Sequence, residues 1–161
     1  RTVRARWVGR SLTRLQGVRW SKRLEKDVDF INTYLGAGPV KSLIQSADVI
    51  LLPYDSREQV TSGVLVEAVV AGKPIVATKF PHAIELLNDG SGFLVDQGDS
   101  RGIAKALHSL FTNQANADRM RKISNEKANS FLWSTVSQDY LDLVTAIWAV
   151  NIGKVSNFAV S

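Results

Sequence analysis

Short apolar runs alternate with helix-like patterns through residues 48–99, and this alternation constrains the fold more than any other feature of the chain. Residues 49–52 and 75–78 are mostly apolar runs, which are typical of strands buried on both faces. Residues 28–31 and 93–95 are two further strand candidates. Strands that alternate with helices predict a parallel sheet with right-handed crossovers, so we expect an α/β, Rossmann-like sheet flanked by helices.

The spacing of apolar residues also predicts seven helices. They cover residues 6–25, 39–47, 62–72, 82–88, 100–111, 115–129 and 134–150. In the last of these helices, five side chains have the spacing of a core-facing stripe: Val136, Tyr140, Leu143, Val144 and Ile147. Residues 151–161 are mildly apolar without a pattern. We therefore predict one partial domain over residues 1–150 and a C-terminal tail over residues 151–161.

Composition excludes several classes of site. A chain of 161 residues with 45% hydrophobic and 22% charged residues suits one globular domain. Disulfides and thiolate metal sites are excluded because there is no cysteine. A histidine-based zinc site is not expected, because the two histidines lie far apart in sequence. No apolar run approaches the roughly 20 residues of a membrane span. With no start methionine and no signal sequence, the chain is interpreted as a cytoplasmic piece of something longer.

The net charge of +5 is concentrated at one end of the chain. Residues 1–26 hold nine basic residues and one acid, whereas residues 27–161 hold 11 basic and 14 acidic residues. Arg6, Arg10 and Arg14 have helical spacing and indicate one basic stripe. A solvated helix face is the simplest interpretation, and contact with an acidic membrane surface or substrate phosphates is the alternative. Nucleic acid is not expected, since no aromatic platform accompanies the charge.

Most of the polar and glycine-bearing loops follow the predicted strands. Because the carboxyl ends of parallel strands meet at one edge of a sheet, a ligand site is expected there. One of these loops leads into the sequence Thr61-Ser62-Gly63-Val64 at a helix start. A serine or threonine there caps the helix, while a glycine lets a ligand approach the free amides of the first turn. Those amides and the helix dipole suit a diphosphate, although capping alone also explains the pattern.

Glu67 is the one acidic residue on an otherwise apolar helix. An unpaired buried charge is very costly, so this carboxylate must be paired, protonated or turned to an open cleft. It lies one turn beyond Gly63, where it could accept hydrogen bonds from ribose hydroxyls. A salt bridge to Lys73 or Arg57 is an equally good interpretation.

Three further side chains are candidates for contact with a substrate. Glu58 and Gln59 precede the apolar helix and could bind sugar hydroxyls, although an ordinary solvent-facing loop is the simpler interpretation. His82 directly follows a strand and could touch substrate, or serve in capping or packing. No hydrolytic pair of carboxylates and no Ser/His/Asp arrangement is found.

An ordered series of segments resembles the C-terminal domain of group 1 (family 4) glycosyltransferases. The series comprises residues 46–54 (SADVILLPY), 58–68 (EQVTSGVLVEA), 71–78 (AGKPIVAT), 85–87 (ELL), 89–90 (DG), 92–95 (GFLV) and 131–133 (FLW). The resemblance covers residues 28–144. It implies the C-terminal half of the two-domain GT-B architecture, here truncated at its N-terminus. It also implies sugar transfer from a nucleotide donor with retention of configuration and no required metal or other cofactor.

The resemblance assigns roles to individual residues. Glu67 matches the second glutamate of the E-x7-E motif, the usual ribose-binding position, while Gly63 and Val64 match the positions whose amides meet the diphosphate. Ser62 adjoins them. The first glutamate of the motif falls on Gln59, beside Glu58, and a glutamine cannot supply negative charge to an oxocarbenium-like transition state. The loop near Thr33 and Tyr34 matches the region that flanks the base.

The resemblance also indicates which parts of the family's active site lie outside the matched region. The family's acceptor-binding N-terminal domain, its catalytic histidine and its diphosphate-gripping basic pair are not matched in this chain. We therefore expect a donor-binding half, specific for a UDP- or GDP-sugar, that transfers nothing alone. Two alternatives remain at this point: a nucleotide-sugar epimerase of similar architecture, and a non-catalytic nucleotide-binding module.

Overall fold

The computed structural model describes residues 5–8, 27–31, 33–55 and 61–158. The chain divides into two compact units, residues 1–41 and residues 42–161.

In the first unit, two short strands pair in parallel. Strand β1 (Ala5–Val8) lies beside β2 (Val28–Ile31), with Ala5 opposite Val28 and Val8 opposite Ile31. The predicted strand at residues 28–31 is confirmed. The predicted helix over residues 6–25 is wrong at its start, because pairing with β2 gives this backbone partners that outweigh its local helix propensity. Arg6 accordingly lies on a strand, 3.6 Å from the Asp29 carboxylate, and Arg10 and Arg14 lie outside the described residues.

The second unit is built on a three-stranded parallel sheet. Its strands are β3 (Ile50–Leu52), β4 (Ile75–Thr78) and β5 (Gly92–Val95), in the order β3-β4-β5. All four residues of β4 are buried, as the apolar run predicts for a central strand. These three strand predictions are confirmed. The expectation of four strands along one edge needs correction, since β2 pairs with β1 in a sheet of its own.

Within the described residues, six helices and one short turn accompany the strands. The helices are α1 (Ala37–Ser46), α2 (Gly63–Val70), α3 (Pro81–Leu87), α4 (Ser100–Thr112), α5 (Gln114–Ala128) and α6 (Trp133–Phe158), and a 3-10 turn covers Asn129–Phe131. Helix α1 spans the boundary between the two units. After α2 the chain turns at Gly72, whose φ of 62° favours glycine. The core of the second unit lies around β4 and includes Leu65, Val69, Phe80 and Leu87.

A polar cluster fastens α5 to the turn between α3 and β5. The Lys127 ammonium donates to the Leu86 carbonyl, to Asp89 Oδ2 at 2.8 Å and to Ser91 Oγ at 2.8 Å. The Ser91 amide donates to Asp89 Oδ1 at 2.9 Å, and Ser91 is fully buried. Burial raises the pKa of the Asp89 carboxyl, but the hydrogen bonds from Lys127 and Ser91 outweigh that effect and hold the pKa below its ordinary value of 3.8.

Ser124 on α5 is fully buried, and its hydroxyl has no hydrogen-bond partner within the described residues. A buried hydroxyl without a partner loses its hydration and gains nothing in return. We therefore expect Ser124→Ala to raise the free energy of unfolding by about 1 kcal/mol, measured by urea denaturation. The matched control is Ser137→Ala on the exposed surface of α6, which measures helix propensity alone. A loss of stability on Ser124→Ala would contradict the prediction.

The last helix is longer and more exposed than the sequence predicts. The predicted helix end at residue 150 is wrong, because α6 continues to Phe158; elongating an existing helix costs far less than nucleating one. The division into a domain over residues 1–150 and a C-terminal tail over residues 151–161 stays a prediction. Four of the five predicted core residues are exposed, namely Tyr140, Leu143, Val144 and Ile147. Within the described residues, α6 contacts mainly the 3-10 turn that precedes it, so this apolar stripe is not covered by another helix or strand. Across the described residues, no helix has both the length and the apolar character needed to cross a bilayer.

Candidate functional site

The carboxyl edge of the second unit's sheet is held together by one threonine and two aromatic rings. The buried Thr78 hydroxyl, at the end of β4, lies 2.6 Å from the Tyr54 carbonyl and 3.3 Å from the Leu52 carbonyl. The Tyr54 ring packs against the buried Phe80 ring with 5.0 Å between centroids. These contacts fix the backbone that leaves β3. These contacts were not predicted from the sequence, although a threonine at the end of an apolar strand indicates a polar contact there.

Ser62 caps helix α2 and is itself buried. Its hydroxyl accepts a hydrogen bond from the Leu65 amide at 3.3 Å and lies 3.3 Å from the Tyr54 hydroxyl. Its own amide donates to His82 Nδ1 at 3.0 Å. The capping role expected for this serine is therefore present, and its polar groups are engaged within the protein.

These contacts leave two amides unpaired at the start of α2. The first four N–H groups of any helix lack an intrahelical partner. Here the Ser62 amide is bonded to His82 and the Leu65 amide to the Ser62 hydroxyl. Within the described residues, Gly63 and Val64 are the two positions whose amides have no acceptor. Two adjacent free amides at the positive end of a helix form a donor pair suited to an anion.

Gly63 is exposed, and the fold does not require a glycine there. A Cβ atom added at Gly63 would meet nothing within 4 Å, and the backbone φ is not positive. Packing and backbone strain therefore do not explain the glycine.

Glu67 lies one turn after Gly63 and is exposed. Among the described residues it forms no ion pair. Glu67 forms no salt bridge to Lys73; the Lys73 ammonium donates to the Gln45 carbonyl at 2.6 Å. Arg57, the other proposed partner, lies outside the described residues. The carboxylate is thus open to solvent, on the same helix as the two free amides.

His82 is the second residue of α3 and is half-buried. Because its Nδ1 accepts from the Ser62 amide, the ring ties the start of α3 to the start of α2. Lys79, between β4 and α3, pairs with Asp96 beyond β5 at 2.7 Å, and both side chains are about half-exposed or more.

Four further residues were predicted to belong to the site: Glu58, Gln59, Thr33 and Tyr34. Glu58 and Gln59 lie outside the described residues, so their contact with a sugar stays a prediction. Thr33 and Tyr34 belong to the first unit, where both follow β2 and are exposed. The structure thus places Ser62, Gly63, Val64 and Glu67 at the start and in the first two turns of α2, and His82 of α3 is bonded to the Ser62 amide.

The second unit is thus an α/β unit whose parallel sheet leads into a helix start that carries a pair of amide donors suited to an anion. The chain belongs to the family described as "Glycosyl transferases group 1", whose family model matches residues 1–113.

Curated relatives are glycosyltransferases of greater length. The chain is 33% identical over 119 residues to phosphatidyl-myo-inositol mannosyltransferase of Mycobacterium leprae. The match covers 73% of this chain and 31% of that protein. It is 32% identical over 109 residues to 2-deoxystreptamine N-acetyl-D-glucosaminyltransferase of Niallia circulans, covering 66% of this chain and 28% of that protein. The chain therefore spans about three tenths of the length of these relatives.

Solved GT-B glycosyltransferases share the fold. Anabaena HepE in complex with UDP-glucose matches with a TM-score of 0.68 and 24% identity, over 89% of this chain and 41% of that chain. Sucrose-phosphate synthase from Thermosynechococcus elongatus matches with a TM-score of 0.70 and 20% identity, over 90% of this chain and 38% of that chain. The expected fold class is confirmed: an α/β unit with a parallel sheet flanked by helices, corresponding to part of a GT-B chain.

Proposed function

We propose that this chain is the donor-binding part of a glycosyltransferase that uses a UDP- or GDP-sugar. The Gly63 and Val64 amides bind the diphosphate, and the Glu67 carboxylate accepts hydrogen bonds from the ribose hydroxyls. The observation that carries this proposal is that two amides and an exposed carboxylate on one helix have no partner within the described residues. Membership of the glycosyltransferase family supports it.

The donor's chemistry follows from the same arrangement. A diphosphate needs hydrogen-bond donors and positive potential, which a helix start provides. A ribose presents neighbouring hydroxyls, which a carboxylate one turn away can accept. In this proposal Thr33 and Tyr34 flank the base, while Glu58 or Gln59 binds the sugar. The relative HepE was solved with UDP-glucose and with UDP, which makes UDP a suitable first probe.

The proposed reaction is transfer with retention and needs no metal. The bond between the anomeric carbon and the diphosphate oxygen breaks, and the acceptor hydroxyl oxygen bonds to the anomeric carbon on the same face. The acceptor proton passes to the departing diphosphate. The two free amides stabilise the charge that develops on that leaving group.

We further infer that these 161 residues bind the donor without transferring the sugar by themselves. The segments matched by this chain cover only about three tenths of two curated relatives, and the resemblance to the family assigns the acceptor site to a separate N-terminal domain. Turnover of a UDP- or GDP-sugar by the 161-residue chain, followed by product analysis, would contradict this inference.

The test of donor binding is a calorimetric titration of UDP and of GDP into the wild-type chain and into Glu67→Ala. We expect one nucleotide to bind saturably, and Glu67→Ala to weaken it about tenfold because one or two hydrogen bonds to a carboxylate are lost. The control is Glu126→Ala, an exposed glutamate on α5 whose nearest cation, Lys122, is 4.0 Å away. Binding of neither nucleotide would refute the proposal, as would equal affinities of wild type and Glu67→Ala.

A further inference from the structure

Helix α4 presents one face to the core and a basic face to solvent. The inner face packs on the core through Leu110, which is buried, and Ile103, which is partly buried. The outer face carries Arg101, Lys105 and His108, all of them exposed. Their spacing of four and three residues places them on one side of the helix. Because α4 contains no aspartate or glutamate, this side is basic along its length.

The three basic side chains have no acidic partner in the part of the chain that the structure describes. The nearest acids before and after them in sequence are engaged elsewhere. Asp99 caps the start of α4, where it accepts from the Gly102 amide at 2.9 Å. Asp118 pairs with Arg121 at 2.7 Å. An anion that pairs with the outer face of α4 must therefore come from outside the described residues.

An open groove of about 680 Å³ runs along this outer face. It is lined by Ala104, Lys105, His108, Ser109, Thr112 and Asn113. Alanine has the smallest side chain of the six, so a larger residue at position 104 would occupy part of the groove. The outer face of α4 is thus concave as well as basic.

The polar side chains at the end of the groove offer further hydrogen-bond donors. The Ser109 hydroxyl oxygen accepts from Asn116 Nδ2 at 2.7 Å, which leaves its own O–H group to donate. The Asn113 side-chain oxygen accepts from the Ala115 amide at 3.1 Å, which leaves its NH2 group. Neither donor has an acceptor among the residues that the structure describes. Donors and positive charge together suit a ligand rich in carboxylate oxygens.

We propose that the outer face of α4 binds an extended, acidic segment of a partner protein. Along the helix axis, Arg101 and Lys105 are separated by about 6 Å, since each residue rises about 1.5 Å. Alternate side chains of an extended chain lie on one side and are about 6.7 Å apart. Carboxylates at alternate positions therefore match the spacing of the cations. This inference does not depend on the donor site and goes beyond the proposed function.

Two observations favour a peptide over other anions. The groove is concave, whereas a bilayer surface is flat and would meet only the protruding rim. Phe111 lies three residues after His108, hence on the same side of the helix, and is 49% exposed. Its ring offers an apolar contact that a peptide side chain can use and a free phosphate ion cannot.

The experiment is a fluorescence-anisotropy titration of the 161-residue chain against a labelled peptide of about ten residues that alternates glutamate and serine. The matched probe alternates glutamine and serine, and inorganic phosphate and acidic phospholipid vesicles are tested in parallel. We expect saturable binding of the glutamate peptide and none of the glutamine peptide. The affinity should fall several-fold between about 50 mM and about 300 mM salt, because exposed ion pairs are screened.

Two kinds of variant separate the charge of this face from its shape. Lys105→Gln should weaken peptide binding about threefold, because one exposed ion pair is lost. Its control, Lys122→Gln, removes the same charge from an exposed lysine outside the groove. Ala104→Phe fills the groove without a change of charge and should weaken binding at least about tenfold. Its control, Ala149→Phe, alters an exposed alanine on α6 and should have no effect.

The positions changed by these variants are exposed, so the melting temperature should stay at the wild-type value in all of them. Failure of wild type to bind the glutamate peptide would overturn the inference. Equal peptide affinities of wild type and Lys105→Gln, or of wild type and Ala104→Phe, would also overturn it. Tighter binding of phosphate or of acidic vesicles than of the peptide would identify a different ligand and refute the proposal. Since no variant alters Glu67 or Gly63, each of these failures leaves the donor site untouched.

Discussion

Gly63→Ala is expected to leave the fold intact and to weaken binding of the nucleoside diphosphate about 30-fold or more. The structure leaves open space where the new Cβ would lie, so no packing is disturbed. The methyl group would stand beside the Gly63 and Val64 amides and hold the diphosphate away from both. Each hydrogen bond to a charged group contributes about 1.5–3 kcal/mol, so weakening both gives a loss of this size.

The measurement is the UDP and GDP titration, together with thermal denaturation. Gly38→Ala in α1 is the matched control, because it also places a Cβ in open space on a helix. Both variants should match or exceed the wild-type stability, since alanine favours helix more than glycine does. Only Gly63→Ala should lose affinity. If it binds the nucleotide as tightly as Gly38→Ala does, the two amides are not the diphosphate site.

Lys127→Met is expected to lower the free energy of unfolding by about 2–3 kcal/mol. The methionine keeps the length of the aliphatic side chain but leaves three acceptors without their donor: the Leu86 carbonyl, the Asp89 carboxylate and the Ser91 hydroxyl. The Ser91 residue is fully buried, and the Lys127 side chain is only 20% exposed, so water replaces the donor poorly. Removing one partner of such a group costs more than the bond itself contributes.

The difference between this variant and wild type should depend on pH. Hydrogen bonds hold the pKa of Asp89 in the folded protein below its ordinary value of 3.8. The stabilisation that the ionised carboxylate contributes is therefore complete above pH 3.8 and is lost as the pH falls through the lower pKa of the folded state. Urea denaturation at pH 7 should show the full difference, and the difference should shrink below pH 3.8. The control is Lys122→Met, an exposed lysine with a 4.0 Å ion pair, which should cost little at any pH. A Lys127→Met variant as stable as Lys122→Met would contradict the prediction.

Much of the second unit could be predicted from local pattern. The strands at residues 50–52, 75–78 and 92–95 were identified because buried parallel strands are continuous apolar runs. The ends of helix α2 were predicted to within two residues because Ser62 is a good cap and Gly72 a good terminating residue. Each of these signals acts over a few residues and needs no knowledge of the rest of the chain.

The errors arose where partners distant in sequence decide the outcome. Strand β1 was predicted as helix because its pairing with β2 crosses about twenty residues. The apolar stripe of α6 was predicted to be core, but amphipathic spacing specifies only that a face is apolar and does not specify what covers it.

The sequence alone determined the α/β class, the apolar helix with its single carboxylate, and the cap–glycine pair at its start, because periodicity, capping and burial cost are local properties. Only the tertiary structure decided which amides remain free. The Ser62 amide is occupied by a histidine twenty residues away, and Lys73 bonds to Gln45 and leaves Glu67 open. Hydrogen-bond partners between distant residues depend on how the chain brings its elements together, and no local pattern encodes that choice.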